Sequence, residues 1–170
     1  MKLYPHYLYL YKAIKNAVWT LKMEHEEILN HLAPCGLDCS KCFAFTEGAI
    51  KSLSARLELL LGTFDNYAER FSEYIPVFSN YSGFKELLYY LARGDCLGCR
   101  KDTCKYPHCG VIRCHKSKGV DFCFQCHEFP CDKSNFDPDL KRRWIQMNTR
   151  MKEIGVEAYY EENKNLPRYR

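Results

Sequence analysis

The eleven cysteines are the residues of this chain whose type and spacing point most clearly to chemistry. Eight of them fall between Cys96 and Cys131, and the other three are Cys35, Cys39 and Cys42. Thiols at this density either form disulfides or bind metal, and the choice follows the redox compartment. Because the first thirty residues lack the apolar run and cleavage site of a secretory signal, we expect a cytoplasmic protein with reduced thiols. An odd number of cysteines also fits a disulfide framework poorly, so we predict metal binding.

The spacing of four cysteines predicts a first zinc site. Cys96-x2-Cys99 places two sulfurs on one turn, and two x4 loops return Cys104 and Cys109 to the same point. Four thiolates close the tetrahedron that structural zinc prefers. This is the spacing of a zinc knuckle with cysteine in the usual place of histidine, and His108 is the natural substitute ligand.

The motif Cys123-x2-Cys126-x4-Cys131 repeats the first three positions and predicts a second zinc site. No cysteine follows Cys131 at the spacing that Cys109 has in the first motif, so the fourth ligand must come from elsewhere. Cys114 is the best candidate, with His115 and His127 as alternatives. Regular spacing between Cys99 and Cys114 also permits interleaved ligand sets, so the spacing alone leaves the partition open. We expect two or more zinc ions in total.

The upstream group has the spacing Cys35-x3-Cys39-x2-Cys42, by which radical S-adenosylmethionine enzymes hold a [4Fe–4S] cluster. Those enzymes build a large barrel of strands and helices after the motif, whereas the chain here continues with helical patterns. The three thiols then form a third zinc site with a remote ligand, or complete the other sites in space. An iron–sulfur protein with a redox role remains the alternative hypothesis, since thiolates serve both metals.

Basic residues crowd the first half of the cysteine-rich segment, where only Asp95 and Asp102 oppose them. They are Arg93, Arg100, Lys101, Lys105, Arg113, Lys116 and Lys118. Zinc thiolates are anionic, so these cations are expected to balance charge and donate hydrogen bonds to sulfur. The second alternative is a zinc-knuckle surface for nucleic acid, with Tyr106 and Phe124 stacking on bases.

Enzymatic activity is left undecided by the sequence. A site with an open coordination position would allow catalysis through a metal-bound water. Glu128, beside His127, would then be the first candidate for a general base, although a lone glutamate in a loop is usually only solvated.

Apolar periodicity predicts the helices that position the cysteines. Residues 1–31 are predicted to form an amphipathic helix, suited to packing or to homodimerisation. Residues 46–93 predict three short helices, with Thr46 and Ser82 as caps and with apolar stripes in the core. The stripe residues are Ile50, Leu53, Leu57, Leu60, Leu61, Tyr67, Ala68, Phe71, Ile75, Phe84, Leu87, Leu88 and Leu91.

After the cysteines, Asp137-Pro138 predicts the start of a long helix, because a cap residue precedes proline at the first helical position. Its predicted buried face contains Leu140, Trp144, Met147, Met151 and Ile154, and Gly155 ends it. A short helix is expected over 156–163, and residues 166–170 are expected to fray.

These elements predict a mainly α fold with a cysteine-rich, loop-dominated metal-binding lobe between the core helices and a long C-terminal helix. The expected division is an N-terminal helix (1–32), one cysteine-rich domain (33–165) and a tail (166–170). Within that domain we expect a helical core over 46–93, the metal lobe over 94–132 and the C-terminal helix over 137–155. No stretch approaches the roughly 20 apolar residues that span a bilayer, so no membrane association is expected.

Several motifs in order resemble the cysteine-rich family catalogued as domain of unknown function 3795. They are Ala33-Pro-Cys-Gly-Leu-Asp-Cys-Ser-Lys-Cys42, Cys96-Leu-Gly-Cys99-Arg, Cys109-Gly-Val-Ile-Arg-Cys114, Cys123-Phe-Gln-Cys126-His-Glu-Phe-Pro-Cys131 and the end from Arg143-Trp144 to Tyr160. The resemblance covers roughly residues 33–165 and implies a small prokaryotic protein that binds zinc and has no established activity. Cys104 is the least characteristic cysteine of that family. The resemblance therefore also implies a set in which Cys109 joins Cys96 and Cys99, with a fourth ligand from Cys114 or the upstream group.

The functional prediction is therefore a zinc-binding protein in which the metal is mainly structural. The metal lobe is expected to present a surface to a macromolecular partner that the sequence does not identify.

Overall fold

The computed structural model describes residues 25–101 and 103–170, which fold mainly into helices. Residues 25–31 form the end of the predicted N-terminal helix, here α1; residues 1–24, and with them most of the predicted dimerisation face, lie outside the described residues. Longer helices follow as α2 (Ala49–Leu61), α3 (Asp65–Phe71), α4 (Tyr81–Ala92), α5 (Val111–Lys118), α6 (Pro138–Ile154) and α7 (Val156–Asn163). Short 3-10 helices cover Cys39–Lys41, Pro76–Asn80, Cys99–Lys101 and Cys123–Gln125. Extended pairing within the described ranges is limited to two isolated bridges, Leu32 with Asp38 and Phe45 with Cys96.

A first apolar core joins the two ends of the described chain. Ile28 and Leu32 pack with Phe122 and with the buried residues of α6 and α7, which are Met151, Val156 and Tyr159. Gly36 lies against this core with φ of 89°, and a Cβ there would lie 2.8 Å from Met151 Cε. Glycine therefore allows the turn that carries Cys35 to close against α6.

A second core contains thiols where most proteins have aliphatic side chains. Its buried members are Ala33, Cys35, Cys39, Cys99, Val111 and Trp144. Trp144 is 1% exposed and meets Phe129 and Phe136 edge to face, with ring centroids 4.9 and 5.9 Å away. Helix α6 carries Trp144 and begins as predicted, because Asp137 Oδ1 accepts hydrogen bonds at 3.0 Å from the N–H groups of Asp139 and Leu140.

Residues 94–132 were predicted to be dominated by loops, and the structure adds one helix to them, α5, which the sequence did not indicate. This helix ends at Gly119, whose φ of 62° is left-handed. Two helical turns are too few for a clear apolar period, since α5 buries only Val111 and His115.

The apolar stripes of residues 46–93 were predicted to be core, and the structure contradicts this for most of them. In the helical lobe (α2, α3 and α4) only Ser54, Ala68, Leu88 and Ala92 are buried. Exposed apolar residues of α2 to α4 and the turns between them are Leu53, Leu57, Leu59, Leu60, Tyr67, Phe71, Tyr74, Ile75, Val77, Phe84, Leu87, Tyr89 and Tyr90. Within residues 25–101 and 103–170, no second layer covers the outer faces of these three short helices. The apolar period therefore indicates a helix without indicating burial.

The two predicted caps in this lobe do not form. Gly48 and Asn80 occupy the N-cap positions of α2 and α4, and neither makes a side-chain capping bond. The hydroxyl of Thr46 instead accepts a hydrogen bond from Lys51 Nζ at 3.2 Å. Ser82 lies inside α4, because that helix begins one residue earlier at Tyr81.

The C-terminal tail, predicted to fray, packs against the body of the protein. Lys41 Nζ donates to the carbonyls of Asn163 and Leu166 at 2.8 and 2.9 Å, and Arg143 donates to the carbonyl of Arg168 at 2.6 Å. The prediction was wrong because these donors are distant in sequence and leave no local signal. Among the described residues, no helix is long and apolar enough to cross a membrane.

Identical truncations in the helical lobe test which apolar residues are buried. We expect Leu88→Ala to lower the free energy of unfolding by about 2–5 kcal/mol, because Leu88 is only 6% exposed. Leu60 is 72% exposed, so Leu60→Ala should change the free energy of unfolding by less than about 0.5 kcal/mol. Denaturant unfolding monitored by circular dichroism measures both, and equal losses would contradict the described exposure.

Candidate metal centres

All eleven cysteines are free thiols, and the fold separates them into two groups around two cavities. The small thiol group consists of Cys114, Cys123, Cys126 and Cys131. The large thiol group consists of Cys35, Cys39, Cys42, Cys96, Cys99, Cys104 and Cys109. The predicted set Cys96, Cys99, Cys104 and Cys109 thus lies in one cavity together with the whole upstream group. Cys114 lies with the three cysteines of the second motif, while His127 is exposed and His108 lines neither cavity.

The small thiol group is built from α5 and the turn that follows it. Cys114 is on α5, and a 3-10 turn carries Cys123 and Cys126, with the N–H of Cys126 donating to the carbonyl of Cys123 at 3.1 Å. The four thiols form part of the lining of a cavity with a volume of about 30 Å³. Since a single water needs at least about 10–15 Å³, the cavity has room only for a small occupant.

A close backbone crossing brings the two halves of this group together. The N–H of Gly110 donates to the carbonyl of Ser134 at 3.2 Å, and a Cβ on Gly110 would lie 1.8 Å from the carbonyl oxygen of Lys133. No side chain fits at that distance, so glycine is required where α5 begins beside the segment that follows Cys131.

Trp144 lines the cavity of the small thiol group. Its buried indole N–H has no hydrogen-bond partner among the described residues, and its side chain lies near Cys123. Burial raises the pKa of the Cys123 thiol to about 11, and the nearby indole of Trp144 acts in the opposite direction. An unpaired N–H near sulfur is available to donate to a metal-bound thiolate.

Glu128 lies between two lysines at the rim of the same cavity. Hydrogen bonds from Lys118 and from Lys133, the latter at 2.5 Å, lower the pKa of this carboxyl to about 2. A carboxylate with so low a pKa is a weak proton acceptor, so this position suits an ion pair better than the general base that the sequence suggested.

The large thiol group contains cysteines from three segments of the chain, residues 35–42, 96–99 and 104–109. Cys35, Cys39 and Cys42 follow α1, and Cys96 is joined to that segment because its N–H donates to the carbonyl of Ala44 at 2.8 Å. The N–H of Thr46 donates to the carbonyl of Cys96 at 2.9 Å and completes the link. The seven thiols line a cavity of about 340 Å³, which is much larger than a single ion requires.

Four of these thiols are close neighbours. Cys99 lies beside Cys39 and Cys104, and Cys109 lies beside Cys104. The neighbouring Cys99 lowers the pKa of Cys39 to about 7, and Cys109 and Cys99 lower the pKa of Cys104. The pKa values of Cys99 and Cys109 are raised in turn. Of these four thiols, Cys39 and Cys104 therefore lose their protons first.

Backbone N–H groups also point at sulfur in the large thiol group. The N–H of Gly98 donates to Cys96 Sγ and that of Tyr106 donates to Cys104 Sγ, both at 3.4 Å. Burial raises the pKa of the Cys35 thiol to about 12, so this side chain stays protonated at neutral pH unless a cation binds it.

Asn148 is a residue that sequence reasoning missed. It is fully buried on α6, where its Nδ2 donates to the carbonyls of Cys35 at 2.9 Å and Trp144 at 3.1 Å. Its Oδ1 accepts the N–H of Phe124 at 3.0 Å. One side chain thus ties the turn of the large thiol group to that of the small one, and only its position on the apolar face could have indicated this role.

No three or more His, Cys, Asp or Glu side chains in the described ranges already converge at metal-binding spacing. The donor types nevertheless fit a thiophilic metal, because free thiols line both cavities. Among the described residues, Glu128 at the rim of the small cavity is the only acidic side chain that lines either one. Binding would require the thiols to move toward a common centre.

Several groups suggested for nucleic-acid contact already have partners within the protein. Arg93 pairs with Glu58 at 2.9 Å, and Lys105 pairs with Asp95 at 2.6 Å. Arg100 donates to the carbonyls of Leu29 and Asp121, both at 2.9 Å. The rings of Tyr106 and Phe124 pack on Phe136 and Phe122.

Comparison with protein families matches residues 31–136 to the family described as a protein of unknown function, DUF3795. The match covers more than half of the chain, so the chain belongs to this family. It includes every cysteine and ends before α6, whereas the resemblance in the sequence suggested a wider span. No curated protein and no solved structure matched the chain.

The close crossing at Gly110 can be tested by adding one methyl group. We expect Gly110→Ala to lower the free energy of unfolding by more than 2 kcal/mol, because a Cβ 1.8 Å from the Lys133 carbonyl oxygen must displace backbone. Gly83→Ala in α4 is the matched control, since a Cβ there meets nothing within 4 Å and gains up to about 1 kcal/mol of helix propensity. An unchanged melting temperature for Gly110→Ala would refute the crossing.

Proposed function

We propose that this protein binds zinc through its thiols and that the metal is mainly structural. The small thiol group would hold one ion in a closed site of four thiolates, through Cys114, Cys123, Cys126 and Cys131. Such a site leaves no open position, so its role is to hold the fold together and not to activate a substrate.

The observation that carries this proposal is that four free thiols line one small cavity of about 30 Å³. Trp144, whose buried indole N–H has no hydrogen-bond partner among the described residues, lines the same cavity. A pocket lined by four sulfurs suits zinc, whose preferred structural geometry is a tetrahedron of soft ligands.

Metal would supply cohesion that burial alone does not supply. The second core is composed largely of cysteines, and a free thiol packs only as a small hydrophobe. An ion bound by α5 and by residues 123–131 would fasten two segments that otherwise meet through the Gly110 crossing and a few aromatic rings. Metal binding and folding would then be coupled.

An iron–sulfur cluster is the second candidate, and it concerns only the large thiol group. The specific observation in its favour is the cavity of about 340 Å³, whose wall includes Cys35, Cys39 and Cys42. Their spacing suits a cluster held by thiolates. The helical fold of the described residues has no strand–helix barrel after these cysteines, so a radical enzyme of the usual architecture is not proposed.

The interaction surface in this proposal is the exposed face of the helical lobe. Leu59, Leu60 and Tyr74 are 81%, 72% and 80% exposed there, amid further apolar side chains. Because proteins that act alone rarely expose a large apolar patch, we assign this face to a protein partner with an apolar surface of its own.

Elemental analysis of anaerobically purified protein tests zinc binding. We expect at least one zinc per chain, and we expect the double variant Cys123→Ser, Cys126→Ser to lose one equivalent because serine is a poor zinc ligand. Removal of zinc by a chelator should also lower the melting temperature.

The control is His127→Ala, which removes the exposed histidine beside this group and should retain all the zinc. Loss of zinc from His127→Ala would assign the fourth ligand to histidine. Protein without any bound zinc would refute the proposal itself.

A further inference from the structure

The large thiol group has more thiols than one metal ion uses. Tetrahedral zinc takes four ligands, whereas seven thiols line this single cavity. On the wall of this cavity, Cys99 lies beside Cys39 and Cys104, and Cys104 lies beside Cys99 and Cys109. A thiol with two thiol neighbours is placed to be shared between metals.

Charge around the cavity gives a second, independent observation. Its lining includes Lys105, Arg143 and Arg168, and no aspartate or glutamate. Lys105 is exposed and already pairs with Asp95, and Arg143 donates to the carbonyl of Arg168. Of these three lining cations, Arg168 is the one that interacts with Cys42, Cys39 and Cys35 together.

Arg168 has no carboxylate partner within ion-pair distance in the part of the chain that the structure describes. Its Nη1 donates to the carbonyl of Asp38, and its side chain lines the cavity together with Cys42, Cys39 and Cys35, whose thiolates would attract its charge. Taking a cation out of water costs free energy unless an opposite charge compensates it. Negative charge on the cavity would therefore stabilise this arrangement.

The tail is held in place for this contact. Lys41 binds the carbonyls of Asn163 and Leu166, while Tyr169 Oη accepts the N–H of Phe43 at 3.0 Å and donates to Cys42 Sγ at 3.8 Å. These bonds fix the residues on both sides of Arg168 against the segment that carries Cys39 and Cys42.

We propose that the large thiol group holds one polynuclear metal–thiolate cluster and that Arg168 is its counter-ion, placed by the C-terminal tail. The inference rests on the proposed metal binding and extends it to a second centre of a different kind. Two or more metal ions would share the thiolates of Cys99 and Cys104, and each thiol that binds releases its proton to solvent. The cluster would contain either zinc ions or iron with sulfide, and in both cases the thiolates would make it anionic.

Metal analysis of Cys99→Ser distinguishes one cluster from separate ions. If the thiolates are shared, this variant should lose all the metal of the large group and keep the zinc of the small group. If the cavity instead held independent closed sites, one ion would remain, and the cluster would be refuted. Iron with acid-labile sulfide identifies an iron–sulfur cluster, and zinc without sulfide identifies a zinc cluster.

The role of Arg168 is tested by Arg168→Gln, with Arg170→Gln as the matched control on the same tail. Arg170 donates to Asn163 and does not line the cavity. We expect the large group of Arg168→Gln to lose its metal to a chelator at least tenfold faster, and Arg168→Lys to restore most of its retention because the charge is kept. Arg170→Gln should behave as the unchanged protein.

A readout of charge separates this role from simple packing. With metal bound, Arg168→Gln should lower the melting temperature. In metal-free protein the same change should leave the melting temperature equal or raise it, because an uncompensated, half-buried cation is removed. A loss of the same size in both forms would overturn the counter-ion role. Protein that keeps zinc in the small group but binds no metal in the large one would refute this inference alone, whereas protein without any metal would refute the proposed function as well.

Discussion

Two side chains one helical turn apart on α6 connect the two thiol groups. Asn148 joins the carbonyl of Cys35 to the N–H of Phe124. Trp144 lines the cavity of the small thiol group and also packs in the core that contains Cys35, Cys39 and Cys99. Residues four apart lie on the same face of a helix, so one rigid element sets the position of both groups. The cap at Asp137 and the end at Gly155 fix where that element begins and stops.

The rest of the molecule follows from the use of thiols as core residues. A core of aliphatic side chains gains stability from buried area alone, while thiols are small and add little. Their presence in the second core is understandable if a metal supplies the missing cohesion, as the proposal states. The helical lobe lies outside both apolar cores and presents most of its apolar residues to solvent. It therefore contributes an exposed apolar surface and little of the buried core.

Local signals in the sequence predicted the parts of the fold that local physics decides. The start of α6 was predicted from Asp137-Pro138, and the mainly helical class from apolar periodicity. The spacing also predicted that Cys114 would accompany Cys123, Cys126 and Cys131, and the four line one cavity; metal binding by them stays a prediction. Helix α5 was missed because two turns carry too weak a period.

Features that depend on distant contacts could not be predicted. The role of Asn148 arises from three backbone groups far apart in sequence, and that of Arg168 from a tail whose anchors are Lys41 and Arg143. The leucines of α2 show a helical period, but whether a second layer covers them is a property of the whole fold. Apolar periodicity identifies a helix, but whether its apolar face is buried depends on which other elements pack against it.

Native mass spectrometry of the anaerobically purified chain tests the central claim, that the thiols bind metal in two separate centres, most directly. The account predicts a mass above that of the 20.1 kDa chain by one zinc together with a further polynuclear increment, and each thiolate bound should appear as one missing proton. Mild chelation should remove the two increments in separate steps. A chain at its metal-free mass with all thiols protonated, or one lighter only by the hydrogens lost in disulfides, would contradict the account.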